Sequence, residues 1–356
     1  MRFVSPALKR IVFPALSRSG YLRCSAGVGP TIVTYHGVLP AGYRVQNRAL
    51  DCNLISVDSL RQQLGLLKKS YNVITPEDFL HWLEEKMPLP PHSVLLTCDD
   101  ALRNTLTEMV PVLHELGMSC LFFATGASGD ETSSMLWYEE LYLMLLEARE
   151  PITISLSEAG VSVGGIPSNK QHASWWNLVE QLSRFDGELR RNFLDQIGEQ
   201  LGLSGNWRER FLQDQTLAGR FLVLDVAGLR QLVAAGMTIG AHSLSHPILA
   251  RVSEELAWRE ISESRSVTEN ALGQAVWAFA YPFGNPAMVT ARDVRLAEQA
   301  GFQCAFMNTE AGLAEKTNRF ALPRVHITGD MSLFEFEAHI SGFYSSLRKR
   351  LLGGDP

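Results

Sequence analysis

The sequence predicts an α/β fold in which a parallel sheet or barrel is covered on its outside by helices. First, short apolar runs alternate with helical patterns from Thr31 onward. Second, these runs are apolar throughout, as expected of parallel strands that are buried on both faces. Third, about seven strand–helix units follow one another, which favours a barrel over an open sheet. With 356 residues, 46% of them apolar, the chain is long enough to form the core of such a domain.

Capping and helix-ending residues mark the elements of the first part of the chain. Ser56 and Thr75 are typical helix N-caps, and Thr75 is followed by Pro76, which is favoured at the first helical position. A further helix, Thr105–Leu116, ends at Gly117. The apolar runs between these helices are predicted strands: Thr31–Tyr35, Asn72–Ile74, Ser93–Thr97 and Ser119–Ala124.

The same alternation returns after residue 224. A helix begins after Asp225 and stops at Gly236, and Ser253 caps a long helix that reaches Leu272. The last helix of this part is predicted at Thr290–Ala300. The strands between these helices are predicted at Met237–Ala241, Val276–Tyr281 and Gln303–Met307.

Residues 127–224 depart from this alternation and are interpreted as a subdomain inserted between two core strands. Long insertions on barrels often cover or shape the mouth of the active site. The insertion is predicted to contain an acidic turn, a hairpin and two helices, at Gly129–Glu131, Ile152–Leu156 with Val161–Val163, Trp175–Leu182 and Leu189–Leu201. The predicted parts of the chain are a basic amphipathic N-terminal arm (1–28), the barrel with its insertion (29–330) and a C-terminal helix (331–356).

Charge is unevenly distributed along the chain. Residues 1–50 contain seven basic side chains and no Asp or Glu, so the remainder, with 25 basic and 38 acidic side chains, has a net charge of −13. The overall charge of −6 argues against a nucleic-acid partner. The apolar residues of the arm recur at helical spacing, and they would either lie in a membrane interface or pack on the protein's own body: Phe3, Val4, Leu8, Ile11, Val12 and Leu16.

The sequence also bears on the location of the protein. No uninterrupted apolar run reaches the roughly 20 residues of a membrane-spanning helix. The N-terminal apolar stretch is interrupted by Lys9, Arg10 and Pro14, which is not typical of a signal peptide. The five cysteines show no metal or redox spacing and are interpreted as free thiols in a reducing compartment. We therefore expect a cytoplasmic protein, with peripheral contact of the arm at the inner face of the bacterial cell membrane.

Two adjacent carboxylates, Asp99 and Asp100, stand at the end of the strand predicted at Ser93–Thr97. Two acids at the end of a buried strand are costly unless something compensates them. A metal cation can compensate one, and the other can then act as a base with a tuned pKa. Taken alone, the pair is explained at least as well as the cap of the following helix.

A pair of histidines, His242 and His246, follows the strand predicted at Met237–Ala241. Imidazoles four residues apart can bind one metal from the same side of a turn, although this pair alone is weak evidence. Ser243 follows His242, so the His-Glu-x-x-His pattern of zinc proteases is excluded. Because the carboxyl ends of barrel strands form one face, the acidic and histidine clusters together predict a divalent metal on one Asp and two His, with the second Asp as base.

The acidic and histidine clusters, together with a third segment further along the chain, resemble the motifs of the polysaccharide deacetylase family. This family is also called carbohydrate esterase family 4 or the NodB-homology domain. The family's first motif, Thr-Phe-Asp-Asp-Gly, is matched by Thr97–Ala101. Its second motif, a His-Ser/Thr pair followed by a second His, is matched by the segment His242–Pro247, and its third, which ends in Pro-Tyr/Phe-Gly, by Phe279–Gly284. The resemblance runs from Thr31 to His326, interrupted by the insertion, and implies a distorted (β/α)7 barrel.

The resemblance implies a role for each matched residue. Asp99 matches the family's general base. In Tyr281-Pro282-Phe283, which is the predicted substrate and oxyanion segment, the backbone N–H of Phe283 matches a donor that stabilises the oxyanion of the tetrahedral intermediate. The residues that match the ligands of a divalent metal, with Zn²⁺ as the expected ion, are Asp100, His242 and His246.

Departures from the family pattern leave the acid and the orientation of the base open. Ala280 stands where the family often has an Arg that orients the base, and Arg324 is a candidate replacement. The family's Asp-Trp motif and the Leu-x-His motif that supplies the general acid have no clean counterpart. His36, in Tyr35-His36-Gly37, resembles the opening of a subgroup in which the last motif lies near the N-terminus, and it is the favoured acid. His326 is the alternative acid, and for either His a purely structural role at a strand end stays open.

The predicted function is hydrolysis of the acetamide of N-acetylated sugars in a poly- or oligosaccharide, in exopolysaccharide or cell-envelope glycan synthesis. Two other classes stay open: a non-catalytic carbohydrate-binding relative and a hydrolase of a small non-sugar amide. A wide, aromatic-lined cleft would favour the polymer, and a closed pocket the small amide. Four tryptophans of the insertion would either stack on sugar rings or pack its core: Trp137, Trp175, Trp176 and Trp207.

Overall fold

The computed structural model describes residues 5–23, 29–45, 47–126, 135–148, 152–166, 171–313 and 317–352. The acidic turn predicted at Gly129–Glu131 lies outside these residues. The strands are β1 (Thr31–Tyr35), β2 (Asn72–Ile74), β3 (Ser93–Cys98), β4 (Leu121–Ala124), β5 (Ile152–Leu156), β6 (Val161–Ile166), β7 (Thr238–Ala241), β8 (Ala278–Ala280), β9 (Cys304–Phe306) and β10 (Val325–His326).

Seven parallel strands form the barrel, in the order β10-β1-β3-β4-β7-β8-β9, and β2 pairs with the start of β3 beside it. β10 pairs with β1, with Val325 opposite Val33. The ring closes where Phe306 of β9 bridges Leu322 and the N–H of Met307 donates to the carbonyl of Leu322 at 2.8 Å. Because Leu322 and β10 belong to one short, irregular segment, this closure distorts the barrel. The predicted α/β barrel fold is confirmed.

The helices begin at the capping residues that the sequence indicated. The hydroxyl of Ser56 accepts a hydrogen bond from the N–H of Ser59, and Thr75 and Asp78 form a reciprocal capping box.

Among the described residues, no helix has the length and apolar character needed to span a membrane. The helices are α1 (Phe13–Arg18), α2 (Arg48–Asp51), α3 (Val57–Ser70), α4 (Pro76–Leu83), α5 (Val110–Leu116), α6 (Trp137–Glu147), α7 (Gln171–Leu182), α8 (Gly187–Gln200), α9 (Glu209–Gln213), α10 (Gln215–Phe221), α11 (Val226–Ala234), α12 (Glu254–Leu272), α13 (Ala291–Gln299), α14 (Leu333–Ile340) and α15 (Phe343–Leu352), with shorter helical turns at Leu8–Val12, Tyr21–Arg23, Thr105–Met109 and Leu249–Arg251.

Alternate residues of β3 face the two sides of the barrel wall. Leu95 packs inside the barrel with Phe123, whereas Val94 and Leu96 pack in a second apolar cluster beneath the outer helices. Every residue of β3 is buried, which explains why its sequence is an uninterrupted apolar run. The period of two along the strand places Asp99, four residues after Leu95, on the interior side at the carboxyl end.

The predicted insertion lies between β4 and β7. Its strands β5 and β6 form a separate antiparallel hairpin, with Leu156 opposite Val161. Its helices enclose an apolar cluster that includes Leu141, Leu178 and Phe193 and that also takes in residues of the barrel loops. The insertion is therefore a packed unit that is joined to the barrel through shared core.

The C-terminal region differs from the single helix that was predicted. It forms two helices, α14 and α15, separated by Ser341 and Gly342. Gly342 has φ +72°, the left-handed conformation that commonly ends a helix and that glycine adopts without steric cost. The helical periodicity of the sequence continues across this break, which is why the pattern alone did not reveal it.

The N-terminal segment packs on the protein's own body, the second of the two predicted arrangements. Phe13 is fully buried beside Ala338 of α14. The buried Glu337 of α14 accepts hydrogen bonds from the hydroxyl of Ser17 and from Nε of Arg23, the latter at 2.7 Å. These contacts fasten the N-terminal segment to the C-terminal helices.

We expect Phe13→Ala to lower the free energy of unfolding by about 3–5 kcal/mol, because it removes a fully buried aromatic ring and leaves a cavity. Ile11→Ala is the matched control, since Ile11 is 69% exposed and its truncation should change stability by less than about 0.5 kcal/mol. Urea unfolding followed by circular dichroism measures both. Equal effects of the two substitutions would contradict the packing described.

Candidate active site

The predicted site residues converge on the carboxyl ends of the barrel strands. Asp99 and Asp100 follow β3, His242 follows β7, and His36 follows β1. The N–H of Asp99 donates to the carbonyl of Tyr35, and that of His242 to the carbonyl of Ala124, both at 2.9 Å. Ladder pairing therefore continues past the strand ends and fixes the backbone from which these side chains project. The sequence-predicted clusters are adjacent in space.

Asp100, His242 and His246 form a group of side chains that could hold a metal ion. Oδ1 of Asp100 lies 3.5 Å from Nε2 of His242 and 3.4 Å from Nε2 of His246. Two donors bound tetrahedrally at about 2.1 Å from Zn²⁺ lie about 3.4 Å apart, so this spacing suits such an ion. Oδ1 of Asp100 is buried with no hydrogen-bond partner among the described residues. A buried carboxylate oxygen without a partner is costly, and a cation at this point would satisfy it.

The groups around the triad set the orientation of His242 and the ionisation of Asp100. Nδ1 of His242 lies 2.7 Å from the carbonyl oxygen of Ala280 and therefore carries a proton, so Nε2 is the nitrogen that faces Asp100 and that a metal would bind. Burial alone would raise the pKa of Asp100, but His242 and His246 outweigh burial and hold this pKa well below its ordinary value. The carboxylate is therefore ionised and the imidazole of His242 correctly oriented for metal binding.

The motifs hold their backbone in a conformation that non-glycine residues rarely adopt. Positive φ values cost free energy at such residues and persist where the surrounding structure enforces them, which is common at functional sites. The non-glycine residues of the three motifs with positive φ are Asp100, Ala101, Ser243, His246 and Phe283.

Asp99 is paired with Arg324, as the sequence had suggested. Nη1 and Nη2 of Arg324 donate to the two carboxylate oxygens of Asp99, each at 2.6 Å, and both side chains are buried. Burial raises the pKa of Asp99, but the Arg324 guanidinium outweighs burial, and the net pKa is below its ordinary value. Arg324 therefore keeps Asp99 ionised and fixes the direction of its carboxylate.

The two candidate acids lie side by side but differ in access. The ring centroids of His36 and His326 are 4.7 Å apart. His36 lines the same cavity as Asp99 and Asp100, with Nε2 3.8 Å from Oδ2 of Asp99, whereas His326 is not part of the cavity wall. Burial lowers the pKa of His36, and the carboxylates of Asp99 and Asp100 offset burial only in part. His36 therefore has the position that a proton donor to a bound molecule requires.

The segment Tyr281-Pro282-Phe283 divides its side chains between cavity and core. The ring of Phe283 lines the cavity and lies 4.8 Å from the ring of His246. Tyr281 is buried in the core, where its hydroxyl donates to the carbonyl of Phe320. Pro282 is also buried. The structure thus brings Phe283 to the site and does not bring the side chain of Tyr281 there.

The cavity, about 180 Å³ in volume, is walled on one side by aromatic residues of the insertion. Trp175 and Trp176 line it together with Tyr138, whose ring lies 5.0 Å from that of His246. Trp137 instead packs below the site and donates from Nε1 to the carbonyl of His246 at 2.9 Å. Trp207 packs against Phe211. Of the four predicted stacking residues, Trp175 and Trp176 reach the cavity.

Sequence reasoning missed several residues that build the site. Asn104 accepts the N–H of Val38 through Oδ1 and thereby holds the loop after His36. Gly37 is required there, because it has φ +120° and an added Cβ would lie 2.4 Å from Oδ1 of Asn104. Asn308 also lines the cavity. Asn104 and Asn308 stand in no recognisable motif, and Gly37, beside His36, was the one local signal of a close approach. Two further cavity residues come from the insertion: Tyr138 and Glu139.

Comparisons with known proteins show what this chain is similar to. The family model described as polysaccharide deacetylase matches residues 206–305, a range that contains the second and third motifs. The deacetylase PplD of Streptococcus pyogenes, solved in complex with acetate, is 15% identical, with a TM-score of 0.55 over 88% of this chain and 99% of that chain. IcaB from Ammonifex degensii is 17% identical, with a TM-score of 0.53 over 88% and 97%. A de-N-acetylase from Aggregatibacter actinomycetemcomitans is 13% identical, with a TM-score of 0.52 over 87% and 99%. A search of curated proteins gives no match.

The family match confirms the resemblance that the three motifs predicted. The structural likenesses confirm the fold. Residues 206–305 therefore resemble the polysaccharide deacetylase family, and the predicted enzyme class, a hydrolase acting on carbon–nitrogen bonds, is confirmed.

We expect Arg324→Met to move the acid limb of the pH–rate profile to higher pH. Arg324 favours the ionised form of Asp99, so without it burial dominates and the pKa of Asp99 rises. A smaller fraction of Asp99 is then ionised at each pH, and kcat/KM for an aryl acetate at pH 6 should fall at least about tenfold. Arg265→Met, in a remote ion pair of α12, is the control. A uniform loss of activity at every pH would contradict this role of Arg324.

Proposed function

We propose that this protein is a metal-dependent N-deacetylase that hydrolyses the acetamide of N-acetylated sugars in a poly- or oligosaccharide, in exopolysaccharide or cell-envelope glycan synthesis. One observation carries the proposal: Asp99, which is paired with Arg324, and the triad Asp100, His242 and His246 border one cavity with an aromatic wall. A base, a metal-binding group and a surface suited to a sugar ring are thus available to one bound molecule.

The chain's own groups supply the acid–base chemistry of such a hydrolysis. When bound by the triad, a divalent ion such as Zn²⁺ polarises a carbonyl and lowers the pKa of water. Asp99 accepts the proton of the attacking water, and its bidentate contact with Arg324 keeps it in the ionised form that this step requires. The backbone N–H of Phe283 is the proposed donor to the oxyanion that develops on the former carbonyl oxygen.

His36 is the proposed proton donor to the departing amine. Because burial lowers its pKa, the imidazole is neutral at neutral pH before turnover, and it must gain the proton during the reaction. Asp99, 3.8 Å away, is placed to pass on the proton that it takes from water. The position of His36 on the cavity wall favours it over His326 for this role.

The sugar substrate is supported by the wall of the cavity and by the described activities of similar structures. Indole rings present flat apolar faces of the kind on which sugar rings stack, and Trp175 and Trp176 line the cavity. Two of the similar structures are a deacetylase solved with acetate and a de-N-acetylase. These features favour an N-acetylated glycan over a small non-sugar amide. The paired base Asp99 and the preserved triad favour an enzyme over a non-catalytic carbohydrate-binding relative.

We expect the wild-type protein to bind close to one equivalent of a divalent metal and to release acetate from N-acetylglucosamine oligomers. His242→Ala should lose both properties, because it removes a ligand. Asp99→Asn should keep the metal and lose at least about a hundredfold in turnover, because it removes only the base. Elemental analysis and an acetate assay measure these outcomes. A wild type that binds no metal, even with added zinc, would refute the proposal, as would an active Asp99→Asn variant.

We propose further that the enzyme works in the cytoplasm, at the inner face of the bacterial cell membrane, to which its N-terminal segment binds peripherally. Residues 5–23 contain no acidic side chain, and Arg10, Ile11 and Arg18 of this segment are exposed. Basic side chains beside an exposed apolar one suit the anionic surface of that membrane leaflet.

We expect the protein to sediment with vesicles that contain anionic phospholipid and to dissociate as salt is raised. The paired substitution Arg10→Glu and Arg18→Glu should weaken this binding at least about fivefold, because each basic residue contributes about 1 kcal/mol near such a surface. Arg61→Glu, at an exposed ion pair on α3, is the control. Absence of binding, or equal binding to neutral vesicles, would contradict the proposal.

A further inference from the structure

A third carboxylate, Glu139, lines the cavity together with Asp99 and Asp100. It stands in the first turn of α6, immediately after Tyr138, whose ring lies 5.2 Å from that of Phe283. Glu139 is buried apart from the edge that it presents to the cavity, with a side-chain exposure of 8%. It belongs to none of the three motifs and takes no part in the acid–base chemistry assigned above.

Arg220 fixes the position of this carboxylate. The guanidinium, which is fully buried, donates to the two oxygens of Glu139 at 2.9 and 3.1 Å. It also donates through Nε to Asp51 at 2.6 Å and through Nη2 to the carbonyl of Leu50 at 2.8 Å. A guanidinium held at four points leaves Glu139 little freedom to rotate. The carboxylate is therefore preorganised before any molecule enters the cavity.

Glu139 and Asp51 share this guanidinium but differ in what they face. The carboxylate of Asp51 also accepts from the hydroxyl of Tyr43, whose oxygen lies 3.0 and 3.2 Å from the two carboxylate oxygens. Asp51 is not part of the cavity wall. Glu139 lines the cavity. A carboxylate offers about four acceptor positions, and Arg220 occupies one on each oxygen of Glu139. Glu139 can therefore accept a further hydrogen bond from a molecule bound in the cavity.

The charge of Glu139 strengthens such a bond. The pKa of Glu139 lies above its ordinary value, because burial and the Asp100 carboxylate raise it by more than Arg220 lowers it. The bidentate contact with Arg220 favours the ionised form. A hydroxyl that donates to an ionised carboxylate forms a stronger bond than it forms with a neutral amide oxygen. Sugar hydroxyls are such donors, and they lie at the edge of a ring whose faces are apolar.

We propose that Glu139 is a specificity-determining residue that accepts a hydrogen bond from a hydroxyl of the sugar that carries the acetamide. The proposal rests on the proposed function. In this arrangement the tryptophan wall contacts the face of the sugar, Glu139 contacts its edge, and the two together orient the acetamide toward Asp99 and Asp100. An acetylated molecule without hydroxyls gains nothing from Glu139.

The test compares Glu139→Gln with Asp51→Asn in the metal-loaded enzyme. Both substitutions remove one negative charge from the same guanidinium, so their effects on folding are matched, and thermal unfolding measures those effects. For each variant, kcat/KM is measured for an N-acetylglucosamine oligomer and for 4-nitrophenyl acetate, which has no hydroxyl. The ratio of the two values isolates recognition of the sugar from general damage to the site.

We expect this ratio to fall about tenfold in Glu139→Gln, through a higher KM for the oligomer, and to stay within about twofold of wild type in Asp51→Asn. An equal fall of the ratio in both variants would overturn the proposal and leave Glu139 with a structural role. A fall of both activities together in Glu139→Gln would overturn it as well. A wild type that hydrolyses 4-nitrophenyl acetate but no glycan would instead refute the proposed function.

Discussion

The buried ion pair between Asp99 and Arg324 is the interaction on which the rest of the structure depends. Two charges are removed from water at a cost of several kcal/mol each, and the pair is tolerable because its geometry is bidentate and two further donors of the guanidinium are also used. Arg324 also donates to the carbonyl of Met307 and to the hydroxyl of Thr97. It thereby ties β3 to the segment that closes the barrel after β9. The same contacts of Arg324 therefore help to close the barrel and to orient the base Asp99.

The metal-binding group depends on this pair through the backbone. Asp100 follows Asp99 directly and has φ +71°, so the position of one carboxylate constrains the other. A strained residue of this kind persists where its neighbours leave no alternative. The pair fixes Asp99 from the barrel interior, and His242 and His246 border Asp100 from β7 and the loop that follows. The triad is therefore preformed by the fold, and a cation would complete an arrangement that is already in place.

The sequence allowed prediction of those parts of the fold and site that depend on local order along the chain. Caps such as Ser56 and Thr75 are local, and acids or histidines at strand ends meet in space because parallel strands end on one face. Glu139 and Asn308 could not be predicted in this way, since nothing near them in the chain indicates that they face the cavity. The break at Gly342 was hidden because helical periodicity continues across it.

The indole of Trp137 donates to the carbonyl of His246, and Arg190 of α8 donates to the carbonyl of Ser245, so two residues of the insertion support the loop that carries a metal-ligand candidate. The insertion is thus not an independent module laid on a finished barrel. If a different insertion were grafted onto this barrel to change which glycan it accepts, the supports of the histidine loop would be removed in the same step. Replacing the insertion as a whole would therefore alter substrate selectivity and the support of the metal-binding histidines together.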